Sequence, residues 1–283
     1  MRHTRTLLIA IMIFVAIAAG YLVYRYGVLN RSMLRTAKEV AEEGVLQELP
    51  RSDVGPNAIR MPILIYHNVQ PDYAGETRED ASFSITPGML DEQLSYLQQN
   101  GYTVISMDDL AADIRAGTTT PIAKPIVLSF DDGWQDQYTY ALPLLQKYHD
   151  TAIFYIYTDA VSRYPGNMTW AELAELVKDD MEIGDHTESH PHLSGLTQSQ
   201  LAGEVLGAKA ALESHLGIVI THFASPYGYS DESIQAFLKG NGFDTGRTTY
   251  KGAHQSPQDQ YELRGYLVKR SMREFIEYVS KSY

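Results

Sequence analysis

The sequence predicts an α/β protein, a distorted (β/α) barrel preceded by an N-terminal transmembrane helix. Two observations predict this class. Short apolar runs rich in β-forming residues alternate with segments of helical periodicity, which is typical of parallel strands joined by crossover helices. After an uncharged N-terminal stretch and a charged linker, about 225 residues remain, which is within the range of a single barrel domain.

The N-terminal stretch has the composition of a membrane span. Residues 7–24 carry no charge, and Arg2 and Arg5 precede them. Eighteen residues are enough to cross a bilayer and are long for the apolar part of a cleaved signal peptide, although the Ala-Ile-Ala sequence at 16–18 leaves cleavage open. The expected organisation is a transmembrane anchor over 1–27, a stalk and linker over 28–58, and a barrel domain over 59–283.

The first predicted strand and helix follow the linker. Residues 61–66 are mostly apolar and predict a buried strand. Thr86 is a good N-cap, Pro87 suits the first helical position, and three leucines then share one helical face. We therefore predict a helix from Thr86 to a stop at Gly101.

The middle of the chain continues the alternation. Residues 125–130 form an unbroken apolar run, which favours a parallel strand buried on both faces. Thr169 is the N-cap of a later helix. The predicted order here is strand 125–130, helix 138–148, strand 151–157, helix 170–178 and strand 181–184.

The last third supplies two more helices and strands. Thr197 and Gln200 make a capping box for a helix that ends at Gly217. Ser230 is the expected N-cap of the next helix, which runs to Gly240. Strands are predicted over 218–224 and 243–249.

Two motifs at predicted strand ends carry the candidate chemistry. Asp131 and Asp132 follow the strand at 125–130, and His186 and His190 follow the strand at 181–184. Adjacent carboxylates at the mouth of a buried strand are costly unless something pairs with them, and a metal ion would do so. Two imidazoles and one carboxylate leave a zinc-like ion an open position for water, and the second carboxylate can act as a base. The pattern predicts metal-assisted hydrolysis.

Each motif alone has a simpler interpretation. Asp-Asp-Gly is commonly a turn, and His-x-x-x-His is commonly two unrelated surface histidines. A metalloprotease helix would need Glu directly after the first His, where Thr187 stands, and Pro191 disfavours helix here. His192 adds a third imidazole, which we interpret as lying outside the ligand set.

The two motifs in this order resemble the polysaccharide deacetylase (NodB homology) family of metal-dependent carbohydrate de-N-acetylases. The family's Thr-Phe-Asp-Asp-Gly is similar to residues 129–133, and its His-Ser/Thr-x-x-His to residues 186–190. Its Arg-x-Pro-Tyr-Gly is similar to residues 224–228, where Ala224 replaces the arginine. The family's late Leu-x-His is absent. The resemblance covers roughly residues 60 to 278.

The pattern is nearest to the poly-β-1,6-N-acetylglucosamine deacetylase branch, whose motifs are circularly permuted. In that branch the acid histidine ends an early Pro-x-Leu-x-Tyr-His strand, which is similar to residues 62–67, and a late arginine is matched by Arg264. The resemblance implies a NodB-type barrel and a divalent metal ion, with zinc preferred. The implied roles are metal ligation by Asp132, His186 and His190, base catalysis by Asp131, acid catalysis by His67, oxyanion binding by the backbone of Tyr227, and a supporting role for Arg264.

The resemblance implies a hydrolase that removes N-acetyl groups from an extracellular N-acetylglucosamine polymer and releases acetate. The uncharged N-terminal stretch predicts a single-pass protein of the cell membrane, and the resemblance favours a catalytic domain outside. One alternative is a peptidoglycan N-acetylglucosamine deacetylase. An alternative of another class is a membrane-anchored protein that binds glycan without chemistry, although the full ligand set plus a base favours an enzyme.

Amino-acid composition excludes some reaction types and binding partners. The chain has no cysteine, which excludes disulfides and a thiol nucleophile. Residues 1–38 hold six Lys or Arg and no acidic residue, so the remainder carries 17 basic and 35 acidic residues. Such a domain should repel nucleic acid and is compatible with a neutral glycan, although solubility alone explains the charge equally well.

Overall fold

The computed structural model describes residues 57–73, 77–117 and 122–280. Their strands are β1 (Ile59–Arg60), β2 (Ile63–Tyr66), β3 (Asn68–Val69), β4 (Ser84–Ile85), β5 (Thr103–Val104), β6 (Pro125–Phe130), β7 (Ile153–Ile156), β8 (Glu182–Asp185), β9 (His222–Ala224), β10 (Thr245–Lys251), β11 (His254–Gln255) and β12 (Leu263–Leu267). Their α-helices are α1 (Arg78–Phe83), α2 (Pro87–Gln99), α3 (Met107–Ala116), α4 (Leu142–Tyr148), α5 (Trp170–Lys178), α6 (Gln198–Leu216), α7 (Glu232–Gly240) and α8 (Met272–Ser280). A π-helical turn, Gln137–Ala141, leads into α4.

Parallel strands close into a barrel. The hydrogen-bonded order is β2-β12-β10-β9-β8-β7-β6-β5, and β6 also pairs with β2, so seven strands close the ring and β5 is added beside β6. Two small sheets, β1 with β11 and β3 with β4, are separate from it. The predicted (β/α) barrel is therefore confirmed.

The barrel strands are buried on both faces. Ile63 and Ile65 of β2 pack into one apolar cluster with Val127 of β6, inside the barrel. Leu64 and Tyr66 pack into the other cluster, between the barrel and its helices. Because successive side chains of a strand point to opposite faces, both clusters draw on the same strands. This explains why these strands read as continuous apolar runs.

Helix α3 closes the end of the barrel where the strands begin. Its residues Met107, Leu110 and Ile114 belong to the cluster inside the barrel. The two carboxylate oxygens of Glu182, at the start of β8, accept the N–H groups of Met107 and Asp108 at 2.6 and 3.0 Å. At the start of β9, His222 Nε2 lies 2.9 Å from Asp108 Oδ1.

The three side chains that tie α3 to the strands also form an Asp-Glu-His group with ligand atoms within 4.8 Å of one another. Their atoms already have partners. Both oxygens of Glu182 cap α3, and His222 Nδ1 lies 2.9 Å from Thr245 Oγ1. We therefore interpret this group as the attachment of α3 to the barrel.

The locally determined helix starts were predicted well. Thr86, Thr169 and Thr197 are N-caps, and the last two form complete capping boxes. The predicted Ser230 cap is wrong: Asp231 takes that role, and its Oδ1 accepts the N–H groups of Ser233 and Ile234 at 2.9 Å each. A carboxylate beside the first turn also interacts favourably with the helix dipole.

Other predicted elements are shifted or missing. The predicted strand 218–224 is reduced to its last three residues, since Ile218 to Thr221 precede the pairing. The predicted helix 138–148 begins as the π-helical turn. Helices α1, α3 and α8, the two-residue strands and strand β12 were not predicted. Strand β12 contains Arg264 and Gly265, which interrupt its apolar run.

Among the described residues, no helix has the length and apolar character needed to cross a membrane. This finding overturns the expected single-pass location at the cell membrane with an extracellular catalytic domain. The predicted anchor over 1–27, and the predicted stalk and linker up to residue 56, lie outside the described residues.

The interior packing gives a stability prediction. A Cβ on Gly184 of β8 would fall 2.4 Å from two ring carbons of Tyr155, which is completely buried. Gly184→Ala should therefore lower the free energy of unfolding by about 1–3 kcal/mol through overpacking. Gly203→Ala, in α6 where nothing lies within 4 Å, should instead raise it by roughly 0.5–1 kcal/mol. Urea unfolding of both variants tests this, and equal effects would contradict it.

Candidate functional site

The predicted site residues lie at one end of the barrel. His67 directly follows β2, Asp131 and Asp132 follow β6, and His186 follows β8. Tyr227 lies three residues after β9. All five therefore lie at or beyond the carboxyl ends of parallel strands, the end at which barrel enzymes carry their active sites.

Asp132, His186 and His190 form a group that could hold a metal ion. Asp132 Oδ1 lies 3.5 Å from His186 Nε2 and 3.3 Å from His190 Nε2. His186 Nδ1 lies 2.7 Å from the Ala224 carbonyl oxygen, so Nδ1 carries the proton and Nε2 is left as a ligand atom. Two imidazole nitrogens and a carboxylate are a donor set that suits zinc and leaves coordination positions open.

The carboxyl group of Asp132 is held in its ionised form. Burial alone would raise its pKa, but contacts with His186 and His190 outweigh burial and hold the pKa well below its usual range. A positive charge on His67 would lower that pKa further, so His67 lies near this carboxyl group. The indole N–H of Trp134 donates to the second oxygen, Oδ2, at 2.9 Å. Each oxygen of this carboxylate therefore has a defined partner.

The backbone around this group is strained. Asp132, Thr187, His190 and Tyr227 all have positive φ, at 75°, 70°, 57° and 58°. Non-glycine residues in this region cost on the order of 1–3 kcal/mol each and cluster at functional sites. Side chains support the strained turn: Asp185 Oδ1 accepts the N–H of Thr187 at 2.7 Å. Four such residues around one ligand group point to a site shaped for function.

The Tyr227 turn is fixed by packing on both sides. A Cβ on the next residue, Gly228, would fall 1.9 Å from Thr249 Oγ1, so glycine is required there. The Tyr227 ring meets His190 edge-on at 4.8 Å and stacks on His192 at 4.2 Å with a 10° interplanar angle. His192 therefore packs against Tyr227, outside the group that could hold a metal.

Asp131 is held by an arginine that the sequence analysis missed. Arg247 Nη2, from β10, lies 2.5 Å from both carboxylate oxygens of Asp131. Arg247 is completely buried, and its guanidinium lies over the Tyr155 ring at 5.0 Å. Breaking this pair would leave a buried charge without its partner.

Arg264, the late arginine singled out by resemblance, lies in β12, the strand beside β10. Its backbone N–H and C=O both bond the side-chain amide of Gln255, and its side chain passes beside Gly252. One sequence signal could have pointed to Arg247 instead. It stands inside the predicted strand 243–249, where a charged side chain requires a partner of opposite charge at a neighbouring strand.

Part of the sequence, including most of this site, matches a known protein family. Residues 118–246 match the family described as Polysaccharide deacetylase. The matched span holds the whole Asp132-His186-His190 group. It begins after His67 and ends one residue before Arg247, so these two residues lie outside it.

Three relatives show how far the similarity extends. The Bacillus subtilis protein YxkH is 26% identical over 214 residues, which are 75% of this chain and 73% of that protein. A poly-beta-1,6-N-acetyl-D-glucosamine N-deacetylase of Escherichia coli is 33% identical over 112 residues, 40% of this chain but 15% of that enzyme. A peptidoglycan-N-acetylglucosamine deacetylase of Bacillus cereus is 29% identical over 137 residues, 48% of this chain and 60% of that enzyme.

A solved structure shares the fold. The Streptococcus pyogenes deacetylase PplD, in complex with acetate, has a TM-score of 0.74 and 24% sequence identity. The superposition covers 79% of this chain and 99% of that chain. At this identity the likeness establishes the barrel architecture and no more.

The Asp131–Arg247 pair leads to a prediction. Arg247→Gln should lower the free energy of unfolding by about 3–5 kcal/mol, because Asp131 is left as an unpaired buried charge. Activity should fall on the order of a hundredfold, because that carboxylate loses its anchor. Urea unfolding and acetate release measure the two effects. Arg264→Gln should keep more of the activity, and the opposite ranking would favour the arginine named by resemblance.

Proposed function

Because this chain is an enzyme of the polysaccharide deacetylase family, we propose that it removes N-acetyl groups from an N-acetylglucosamine polymer with the help of a divalent metal ion. One observation carries the proposal. A group that could hold a metal, Asp132 with two histidines, lies beside a second carboxylate, Asp131, that has a separate cationic anchor. A protein that only bound glycan would have no use for both carboxylates.

The proposed ligands are Asp132, His186 and His190, with zinc as the preferred ion. Imidazole and carboxylate donors suit zinc, and the protonated Nδ1 of His186 orients its ring toward the site. When bound there, such an ion would supply Lewis-acid activation of water. The remaining chemistry belongs to the side chains around it.

Asp131 is the proposed base. It takes the proton from the water that attacks the acetamide carbonyl, and Arg247 holds the carboxylate in place while it does so. The backbone N–H of Tyr227 is proposed to stabilise the oxyanion that forms on the carbonyl oxygen. The strained φ of Tyr227 supports this role, because it re-aims that peptide at a rim position.

His67 is the proposed acid. The departing sugar amine needs a proton, and histidine is the side chain that most often supplies one in general acid catalysis. The site provides a position for it: His67 follows β2, which pairs with β6, the strand that leads into Asp131. The effect of its charge on Asp132 supports the proximity that the role requires.

The proposed substrate is a poly-β-1,6-N-acetylglucosamine-like polymer. The early Pro-Ile-Leu-Ile-Tyr-His sequence at residues 62–67 and the missing arginine of the third motif support it. So does the similarity to the Escherichia coli enzyme named for that polymer. Peptidoglycan is the second candidate, because the Bacillus cereus enzyme named for it is matched over a larger part of its length.

Acetate release tests the proposed function. The full chain should release acetate from acetylated β-1,6-glucosamine oligomers faster than from peptidoglycan fragments. Chelation should abolish turnover and zinc should restore it, because the base acts only on water activated by the ion. The control is a His186→Ala/His190→Ala double variant, which should lose the ion in elemental analysis. Equal metal content in the wild type and the double variant, or full turnover after chelation, would contradict the metal-dependent mechanism.

The acid assignment has its own prediction. His67→Ala should keep its metal and its fold but lose on the order of 10²–10⁴ in turnover, the usual range for general acid–base groups. His254→Ala, in β11, is the matched control and should lose little. Steady-state kinetics on the same oligomers measures both. If His254→Ala lost the activity and His67→Ala kept it, the acid would come from the later part of the chain.

A further inference from the structure

The ladder between β2 and β6 stops just below the proposed acid and base. Tyr66 and Phe130 are the last paired residues, and the N–H of Asp131 donates to the Tyr66 carbonyl at 2.9 Å. Beyond that bond, the carbonyl groups of His67 and Asp131 both face the gap between the two segments. Two acceptors cannot bond one another, so each carbonyl needs a donor from elsewhere.

Gln137 is that donor. Its Nε2 lies 2.9 Å from the His67 carbonyl oxygen and 2.5 Å from the Asp131 carbonyl oxygen. Because both partners are acceptors, the NH₂ end of the amide must face them, and its two hydrogens serve one carbonyl each. The side chain thus continues the β2–β6 ladder by one step, across the segments that carry the proposed acid and base.

The setting of Gln137 favours a functional role over a stabilising one. The side chain is completely buried, and within the described residues its Oε1 has no hydrogen-bond partner. A buried acceptor without a partner lowers stability, so its presence calls for an explanation. Gln137 also begins the π-helical turn before α4, and such turns are frequent at functional sites.

The two residues of the proposed acid–base pair depend on Gln137 unequally. Asp131 has its own anchor, because Arg247 holds both its carboxylate oxygens. Within the described residues, His67 Nδ1 is buried without a hydrogen-bond partner. Asp136, the neighbour of Gln137, holds the segment after His67 through the Asn68 side chain at 2.9 Å and the Val69 N–H at 3.1 Å, but neither bond reaches the His67 imidazole. Loss of the Gln137 bridge should therefore displace His67 more than Asp131.

We propose that Gln137 is a positioning residue that sets the distance between His67 and Asp131 at the rim of the barrel. This inference rests on the proposed function, in which those residues are the acid and the base. It differs from a purely structural role in one measurable respect: removing the bridge should impair the step that needs the acid and spare the step that needs only the base.

Two substrates separate these steps. Hydrolysis of an acetamide releases an amine, which must take up a proton as the carbon–nitrogen bond breaks. Hydrolysis of 4-nitrophenyl acetate releases a phenolate, which leaves without one. Gln137→Met keeps the length of the side chain and removes both donors. It should lower turnover of acetylated glucosamine oligomers by roughly 10- to 100-fold and change ester turnover by less than about 3-fold.

Two further variants make the measurement specific. In a His67→Ala background, Gln137→Met should cause no additional selective loss, since the group it positions is gone. Gln93→Met is the matched control. Gln93 is also completely buried, and its Oε1 accepts the Tyr66 hydroxyl at 3.1 Å, in the layer between barrel and helices. That variant should keep the wild-type ratio of oligomer to ester turnover.

If Gln137→Met left the ratio of oligomer to ester turnover unchanged, whether or not both rates fell, the positioning role would be overturned. If far-UV circular dichroism shows that Gln137→Met is unfolded, Gln137→Asn, which keeps an amide too short to reach both carbonyls, is scored by the same ratio. The two proposals fail differently. A His67→Ala variant without selective loss refutes the acid assignment and this inference with it, whereas selective loss in His67→Ala but not in Gln137→Met refutes this inference alone.

Discussion

The pairing of β2 with β6 closes the barrel, and the site depends on that closure. Four residue pairs, from Ile63 with Val127 to Tyr66 with Phe130, join a strand near the start of the domain to one more than sixty residues later. Aromatic stacking at the last paired residues stabilises the register of β2 and β6. The Tyr66 and Phe130 rings stack at 5.0 Å, and the Phe130 and Phe154 rings at 4.9 Å. A slip by one residue would turn these rings into the barrel interior.

Barrel closure alone does not explain why the neighbouring carboxylates of Asp131 and Asp132 have different partners. Asp131 points to Arg247, while the positive φ of Asp132 turns it toward the two histidines. A buried ion pair gains little net stability, because desolvation of both charges offsets their attraction. The pair therefore fixes the position of one carboxylate beside a group that could hold a metal ion, and keeps that carboxylate out of the group.

Much of the fold could be predicted because its determinants are local. Buried parallel strands are unbroken apolar runs, and Thr169 and Thr197 mark helix starts within four residues. What was missed is non-local. The partner of Asp131 is 116 residues away, and only the closed barrel brings Arg247 to it. Gln137 was missed for the same reason. Its two hydrogen bonds join segments that follow different strands, and it belongs to no sequence motif.

The two ends of the described domain meet. Arg60, which precedes the amino end of β2, donates to the Val279 carbonyl of α8 at 2.8 Å, on the side of the barrel away from the site. Chain termini that lie together at a surface tolerate attachment. A linker joined near either residue would therefore attach at the end of the barrel where the strands begin. The candidate site, at the opposite end of the barrel, would then stay accessible to a bulky substrate.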